Sequence, residues 1–286
     1  MLHSRTTAKE NNSLSKSRYS DFRSSLEEIK GAIIDLELKN KSAIVTGAAR
    51  ARGIGRAIAL SLAKEGVRVA CADLRAQDAE SVSREIRAMG VESMSLGVDQ
   101  TDHQQVKNGV EAITKVLGPI DILINSAGVN TVGFVSKLEP VSWDTTVKIN
   151  LSGPYYWVRE VFDSMAERNW GRIITIASIA GVMGGAGQAS YAASKGGLIS
   201  LTKTVALEGA RSGITANSIS PGIVATDMLT EIRDDMQERL TKRVAMRRPG
   251  DPKEIADLAT FLASERAGYI TGTNIMVDGG LGLFVF

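Results

Sequence analysis

Ala43-Ile44-Val45-Thr46-Gly47-Ala48-Ala49-Arg50-Ala51-Arg52-Gly53-Ile54-Gly55 opens the folded part of this chain and decides its architecture. The first residues have the apolar, β-branched composition of a buried strand, which ends in a glycine-rich turn. Arg56-Ala57-Ile58-Ala59-Leu60-Ser61-Leu62-Ala63-Lys64-Glu65 then reads as an amphipathic helix, stopped by Gly66 where a left-handed residue is needed. A second apolar run, Arg68 to Asp73, completes a strand, glycine turn, helix, strand unit. Such a unit turns free backbone N–H groups and the positive end of a helix dipole toward a pyrophosphate. It also places Asp73 about 20 residues on, where a carboxylate binds a ribose diol.

Working outward, short apolar runs alternate with helical stretches: Val91 to Val98, Ile120 to Asn125, Ile173 to Ser178, Ile214 to Ile219 and Asn274 to Val277. With the first two they predict seven strands. Strands alternating with helices, and apolar throughout, predict an α/β fold: a Rossmann-like, doubly wound, seven-stranded parallel sheet with helices on both faces and right-handed crossovers. One domain is expected over 36–286, following a disordered N-terminal extension over 1–35, in which Ser24 to Ile34 has the pattern of a short helix.

The chemistry is concentrated between Ser178 and Lys195. Ser178 emerges at the carboxyl end of the run Ile173-Ile174-Thr175-Ile176-Ala177, where open α/β sheets place ligands, and Tyr191 and Lys195 share a helix face at i,i+4 spacing. An ammonium about 4 Å from the phenol is worth roughly 4 kcal/mol at an effective dielectric of about 20, enough to bring a pKa of about 10 down to about 7. This pair alone also fits a surface tyrosine beside a solvated lysine; the rest of the chain decides against that.

With these stretches in order, the chain resembles a short-chain dehydrogenase/reductase of the single-domain type over roughly 36–282. The motifs that carry the resemblance are Thr46-Gly47 through Gly55, Asp73, Asp99, Asn125-Ser126-Ala127-Gly128, Asn150, Ser178 thirteen residues before Tyr191, Lys195, Asn217, Pro221-Gly222, Thr226 and Ile270-Thr271-Gly272. Two departures are visible. Five residues, Ala48 to Arg52, separate the first two loop glycines where the family has three, and Ser126 replaces the second asparagine of an Asn-Asn-Ala-Gly motif.

The resemblance implies a catalytic set of Ser178, Tyr191, Lys195 and Asn150. Tyr191 would exchange a proton with the reacting oxygen, Ser178 would hydrogen-bond it, Lys195 would favour the phenolate and hold the nicotinamide ribose, and Asn150 would hold a water linking Lys195 to solvent. It implies a dinucleotide held by Gly47, Arg52, Gly53, Ile54, Gly55, Asp73, Asp99, Asn125, Ala127, Gly128, Tyr191, Lys195, Pro221, Gly222 and Thr226. Asp73 favours NAD, because a carboxylate repels a 2′-phosphate; Arg50, Arg52 and Arg75 keep NADP open. The expected reaction interconverts a small secondary alcohol or sugar hydroxyl and a ketone. Two alternatives stand beside it: a 3-oxoacyl-carrier reductase, with Arg247 and Arg248 meeting an acidic carrier, and a non-catalytic NAD(H) sensor motivated by the enlarged loop. A segment over Thr226 to Arg248 is expected to cover the substrate, with Met228, Leu229, Met236, Leu240 and Met246 beneath it.

Composition excludes other classes. Residues Met1 to Arg23 carry five basic against two acidic side chains, +3, and the whole chain is +2, so the remainder, at −1, has no excess of basic charge for nucleic acid. No apolar run approaches the roughly 18 residues of a membrane span, and no secretory signal is expected, since no apolar stretch follows the basic residues of the first segment. An organelle transit peptide fits the Ser- and Arg-bearing tail less well than a disordered extension, because Glu10 and Asp21 interrupt it. The sole cysteine, Cys71, lies in an apolar strand and reads as a buried thiol; His3 and His103 do not make a metal site, and no metal is expected. A cytoplasmic homodimer or homotetramer is expected, pairing through the helices around Val141 to Ala166 and Tyr191 to Arg211, with the apolar end Leu281 to Phe286 covered.

Overall fold

Strand β1 (Ser42–Thr46) is buried along its whole length, and β2 (Arg68–Asp73) and β4 (Ile122–Asn125) pair with it in parallel on either side. Adding β3 (Ser93–Gly97), β5 (Gly171–Ile176), β6 (Ile214–Pro221) and β7 (Asn274–Val277) gives one parallel sheet of order β3-β2-β1-β4-β5-β6-β7. Strand order reverses between β1 and β4, and the crevice at the carboxyl ends of those two strands is where such sheets bind ligands. The computed structural model describes residues 35–230 and 234–283, with the side chains of 234 and 236 left out. Residues 1–34 of the extension expected over 1–35, residues 284–286 of the apolar end expected over 281–286, and the side chain of Met236 lie outside that description. From Glu37 onward the chain forms one compact unit.

The helices follow the apolar periodicity. Helix α1 (Ile54–Lys64) buries Ile58, Ala59, Leu62 and Ala63, and it ends where Gly66, at φ +78°, supplies the left-handed residue expected there. The remaining elements are α2 (Ala76–Ala88), α3 (His103–Leu117), α4 (Pro140–Val147), α5 (Gly153–Glu167), α6 (Ile179–Met183), α7 (Ala189–Gly209), α8 (Asp227–Thr230), α9 (Asp234–Arg243) and α10 (Pro252–Leu262). On one face, Trp157, Val161 and Met165 of α5 and Val106 and Ile113 of α3 pack with Ile44 and Leu123 of the sheet. On the other, α10 lies against α1, where Thr260 donates to Ser61 at 2.9 Å.

One glycine is required by the fold's closest approach. A side chain on Gly47, at φ +69°, would sit 2.6 Å from the Ala127 Cα, so only glycine lets the turn after β1 meet the turn after β4. Cys71 is fully buried in β2, and burial pushes its thiol up to about 12, away from reactivity.

Candidate active site

A cavity of about 990 Å³ opens over the carboxyl ends of the strands. Its floor begins at α1, whose N-cap, Gly53, offers no side-chain cap and whose first turn carries no acidic residue. The leading N–H groups of the helix are left to the cavity, which Gly47, Gly53, Ile54 and Gly55 line. Beside them the Asp73 carboxylate is oriented by two backbone donors, Ala49 N–H at 3.1 Å on Oδ2 and Arg75 N–H at 3.1 Å on Oδ1. Asp99, Ala127, Gly128, Pro221, Gly222 and Thr226 line the same cavity. Asn125 does not. It is buried at the end of β4, and both of its amide atoms lack a partner among the described residues.

The enlarged loop behaves differently at its two arginines. Arg50 lines the cavity, whereas Arg52, counted at sequence level among the cofactor residues, does not. Ala51 and Arg52 are exposed, and the Arg52 side chain pairs with Asp227 at 3.1 Å. Arg75 is likewise engaged, with Asp78 at 3.1 Å. Loop arginines find nearby carboxylates, and spacing alone does not say which way they turn.

Ser178, Tyr191 and Lys195 all reach the cavity. Ser178 caps α6, its hydroxyl accepting from Ala180 N–H at 3.1 Å, so the strand-end serine is a helix cap and a cavity group at once. Lys195 is buried, and its Nζ donates to the Ile176 carbonyl at 2.8 Å. Burial pushes the ammonium down to about 8. Burial also raises the Tyr191 phenol above its ordinary value, with the Ser178 hydroxyl acting the other way. This corrects the expectation of a tyrosine lowered by its lysine: Lys195 Nζ lies 5.8 Å from the ring centroid, and desolvation of the phenolate sets the direction of the shift.

Asn150 is fully buried and sits in a π-helical turn, Lys148–Ser152, between α4 and α5. Its amide pins the loop after β4, accepting from Val129 N–H at 2.9 Å and donating to Val129 O at 2.8 Å, with Ser194 Oγ at 3.2 Å. Asn150 does not itself line the cavity. A Cβ on Gly128 would stand 3.2 Å from Asn150 Oδ1 and 3.4 Å from Lys195 Nζ, so the glycine keeps open the space that both groups border. Sequence reasoning missed three residues here. Gln188 and Asn130, hydrogen-bonded at 3.3 Å, line the cavity, and Ser194 steadies Asn150. Only the placement of Ser194 one residue before Lys195 offered a signal.

His103 packs on Tyr156 and meets Glu160 at 2.7 Å, away from the cavity lining. Among the described residues no helix is long and apolar enough to cross a membrane.

Residues 47–282 match the family profile described as enoyl-(acyl carrier protein) reductase. The chain belongs to the short-chain dehydrogenase/reductase family. It is therefore an oxidoreductase acting at a CH–OH or carbonyl carbon with a nicotinamide dinucleotide. A 3-oxoacyl-(acyl-carrier-protein) reductase of Staphylococcus epidermidis is 40% identical over 243 residues, 85% of this chain and 99% of that protein. Nodulation protein G of Azospirillum brasilense is 41% identical over 245 residues, again 85% and 99%. A crystal structure of a putative gluconate dehydrogenase from Agrobacterium tumefaciens superposes with a TM-score of 0.85 at 30% identity, covering 88% of this chain and 100% of the other.

Proposed function

We propose that this chain is an NAD(H)-dependent enzyme that interconverts a secondary alcohol, sugar hydroxyls included, and the corresponding ketone, with Tyr191 as acid and base. One observation carries the reading: Ser178, Tyr191 and Lys195 share a single cavity with an uncapped helix N-terminus and an oriented carboxylate, Asp73. The glycine cradle fits a dinucleotide. Gly47, Gly53, Ile54 and Gly55 would face its pyrophosphate, Asp73 its adenosine ribose, and Asp99, Ala127, Gly128, Pro221, Gly222 and Thr226 the remainder.

The bound nicotinamide supplies or takes up the hydride. In the ketone direction Tyr191, which burial keeps protonated at neutral pH, donates its proton to the carbonyl oxygen while the Ser178 hydroxyl holds that oxygen in reach. In the alcohol direction Tyr191 must first lose its proton. Lys195 then stabilises the phenolate, and the released proton would leave to solvent through a water in the space beside Gly128 that Asn150 and Lys195 border. Asp73 favours NAD, since its carboxylate faces the position of a 2′-phosphate, Arg52 pairs with Asp227, and Arg75 pairs with Asp78 and, at 3.9 Å, with Asp73 itself.

A second reading, reduction of a 3-oxoacyl group on an acyl carrier, is favoured by the names of the relatives at about 40% identity. The two arginines considered for an acidic carrier are already committed: Arg248 grips Glu254 through both Nη atoms at 2.8 and 2.7 Å, and Arg247 donates to the Lys242 carbonyl. Purified protein offered NAD(H) and NADP(H) with a panel of polyols, cyclic alcohols, ketones and acetoacetyl thioesters, followed at the nicotinamide absorbance, separates these readings. Turnover of alcohols with NAD supports the first, reduction of the thioester alone supports the second, and cofactor binding with no turnover leaves a sensor. Exposed Val141, Trp143, Tyr155 and Leu207 on the helices expected to pair support a homo-oligomer, to be checked by sedimentation at micromolar concentration.

A further inference from the structure

After β6, Val224 bridges Gly250, and the Ala225 N–H donates to Gly250 O at 2.8 Å. The next element, α8, is a single turn that buries none of its residues. Its internal bonds are local: the Leu229 and Thr230 N–H groups reach Thr226 O at 3.0 and 3.4 Å. An isolated turn of this length is unfavourable in water, because helix nucleation fixes several dihedrals for one hydrogen bond. Yet α8 carries Met228 and Leu229 on the cavity wall.

A long-range tie holds it. Asp227, the first residue of α8, accepts the Arg52 N–H at 3.2 Å on Oδ2 and the Arg52 Nε–H at 3.1 Å on Oδ1. The two residues are 175 positions apart, and Arg52 belongs to the stretch that makes the glycine loop longer than the family's. Both bonds come from one residue and close a ring, so the carboxylate fixes the backbone of the loop as well as a mobile side chain. These bonds, with the charge of Arg50 adding to them, hold the Asp227 carboxyl below its ordinary range.

We propose that Arg52 and Asp227 form a latch, in which the enlarged cofactor loop positions the first turn beyond β6 and with it the Met228 and Leu229 wall of the substrate cavity. They are positioning residues, since neither touches the reacting atoms. The latch rests on the reading that this cavity holds dinucleotide and substrate, and it makes the two binding events interdependent: whatever steadies the loop steadies the wall, and the coupling is reciprocal.

The test is amide hydrogen exchange of residues 226–230, measured on the full chain with and without NADH. In Arg52→Ala these amides should exchange about two- to fivefold faster, the size of an exposed pair's contribution, while the sheet exchanges as in wild type. Arg52→Lys should recover part of the protection, and the swap Arg52→Asp with Asp227→Arg no more than part, since a guanidinium at 227 cannot accept the backbone N–H of residue 52. For the ketone turned over fastest, KM should rise about threefold in Arg52→Ala with kcat not lowered and NADH affinity within about twofold. Unchanged exchange over 226–230 in Arg52→Ala overturns the latch, as does a fall in kcat at constant KM. A protein that fails to bind NADH at all sinks the functional reading, while the exchange in the cofactor-free state still decides the latch.

Discussion

Charge is buried at both ends of the sheet, but only the amino end neutralises it. There Arg172, second residue of β5, donates to Ser264 O, Gly171 O and Gly213 O at 2.9 to 3.2 Å and pairs with Glu265 at 3.2 Å, its guanidinium stacked 4.4 Å from the centroid of Trp170. Asp121, just before β4, takes the Ser42 N–H at 2.9 Å and Arg168. At the carboxyl end, Lys195 is as deeply buried as Arg172 and has one carbonyl and no carboxylate bonded to it among the described residues, while Asn125 has no partner for either amide atom. A buried charge that is paired is cemented into the fold; one left without a counter-charge is costly and persists where a ligand completes its environment. The comparison separates scaffold from site without reference to any relative.

The sharpest way to break it is Tyr191→Phe. Turnover should fall by at least about 100-fold, as loss of a general acid or base does, while NADH binding and thermal stability stay near wild type. A variant keeping more than about a tenth of the wild-type rate would remove Tyr191 from the chemistry.

The two buried cations should respond oppositely. Arg172→Met strands carbonyls and Glu265, so stability should drop by about 2 kcal/mol, somewhat below the figure for a fully buried pair because Glu265 is 38% exposed. Activity per folded molecule should hold. Lys195→Met removes a charge that has no counter-ion, so turnover should collapse while stability is unchanged or raised. Denaturant midpoints check both, and a loss above about 2 kcal/mol in Lys195→Met would make Lys195 a structural cation like Arg172.

A pH series sharpens the same contrast. The Lys195 ammonium is depressed to about 8 in the folded protein from an ordinary 10.5, so between these values the unfolded chain binds more protons and this group's penalty is relieved as pH rises. Below about pH 8 both states are protonated and the penalty is full. The stability gap between Lys195→Met and wild type should therefore narrow by about 1 kcal/mol from pH 8 to pH 9. No such narrowing is expected for Arg172→Met. A gap constant across that range would mean that the lysine is not desolvated as its surroundings imply.

How much of this was legible follows from what each feature depends on. The seven strands and the glycine turn were readable because a buried parallel strand is apolar throughout, Ser178 because it ends such a strand, and Tyr191 with Lys195 because helical spacing places side chains without tertiary help. The π-turn around Asn150 was not, since it inserts one residue where two helices meet and leaves no compositional mark. The direction of the Tyr191 shift was misjudged because a charge separation was considered without the burial that opposes it. The destination of Arg52 depends on a carboxylate 175 residues away, and no local pattern carries that.

The smallest effect is expected in the enlarged loop, which lies at the carboxyl end yet is exposed at Ala51 and Arg52. Deleting these two residues restores the family spacing. Because Gly47, Gly53 and Gly55 already line the cavity, NAD affinity should change by less than about tenfold, or 1.4 kcal/mol. Arg50→Ala is the more searching variant, since Arg50 lines the cavity and a charge-assisted hydrogen bond to phosphate is worth about 1.5 to 3 kcal/mol. Equal weakening with NAD and NADP in a titration of bound cofactor would place Arg50 at the pyrophosphate. Loss of NADP binding alone would place it at a 2′-phosphate and overturn the preference for NAD that Asp73 supports. No loss with either would leave the loop's cations outside the cofactor site, so that the carboxyl end of the sheet offers the dinucleotide backbone N–H groups and the carboxylates of Asp73 and Asp99 in place of paired arginines.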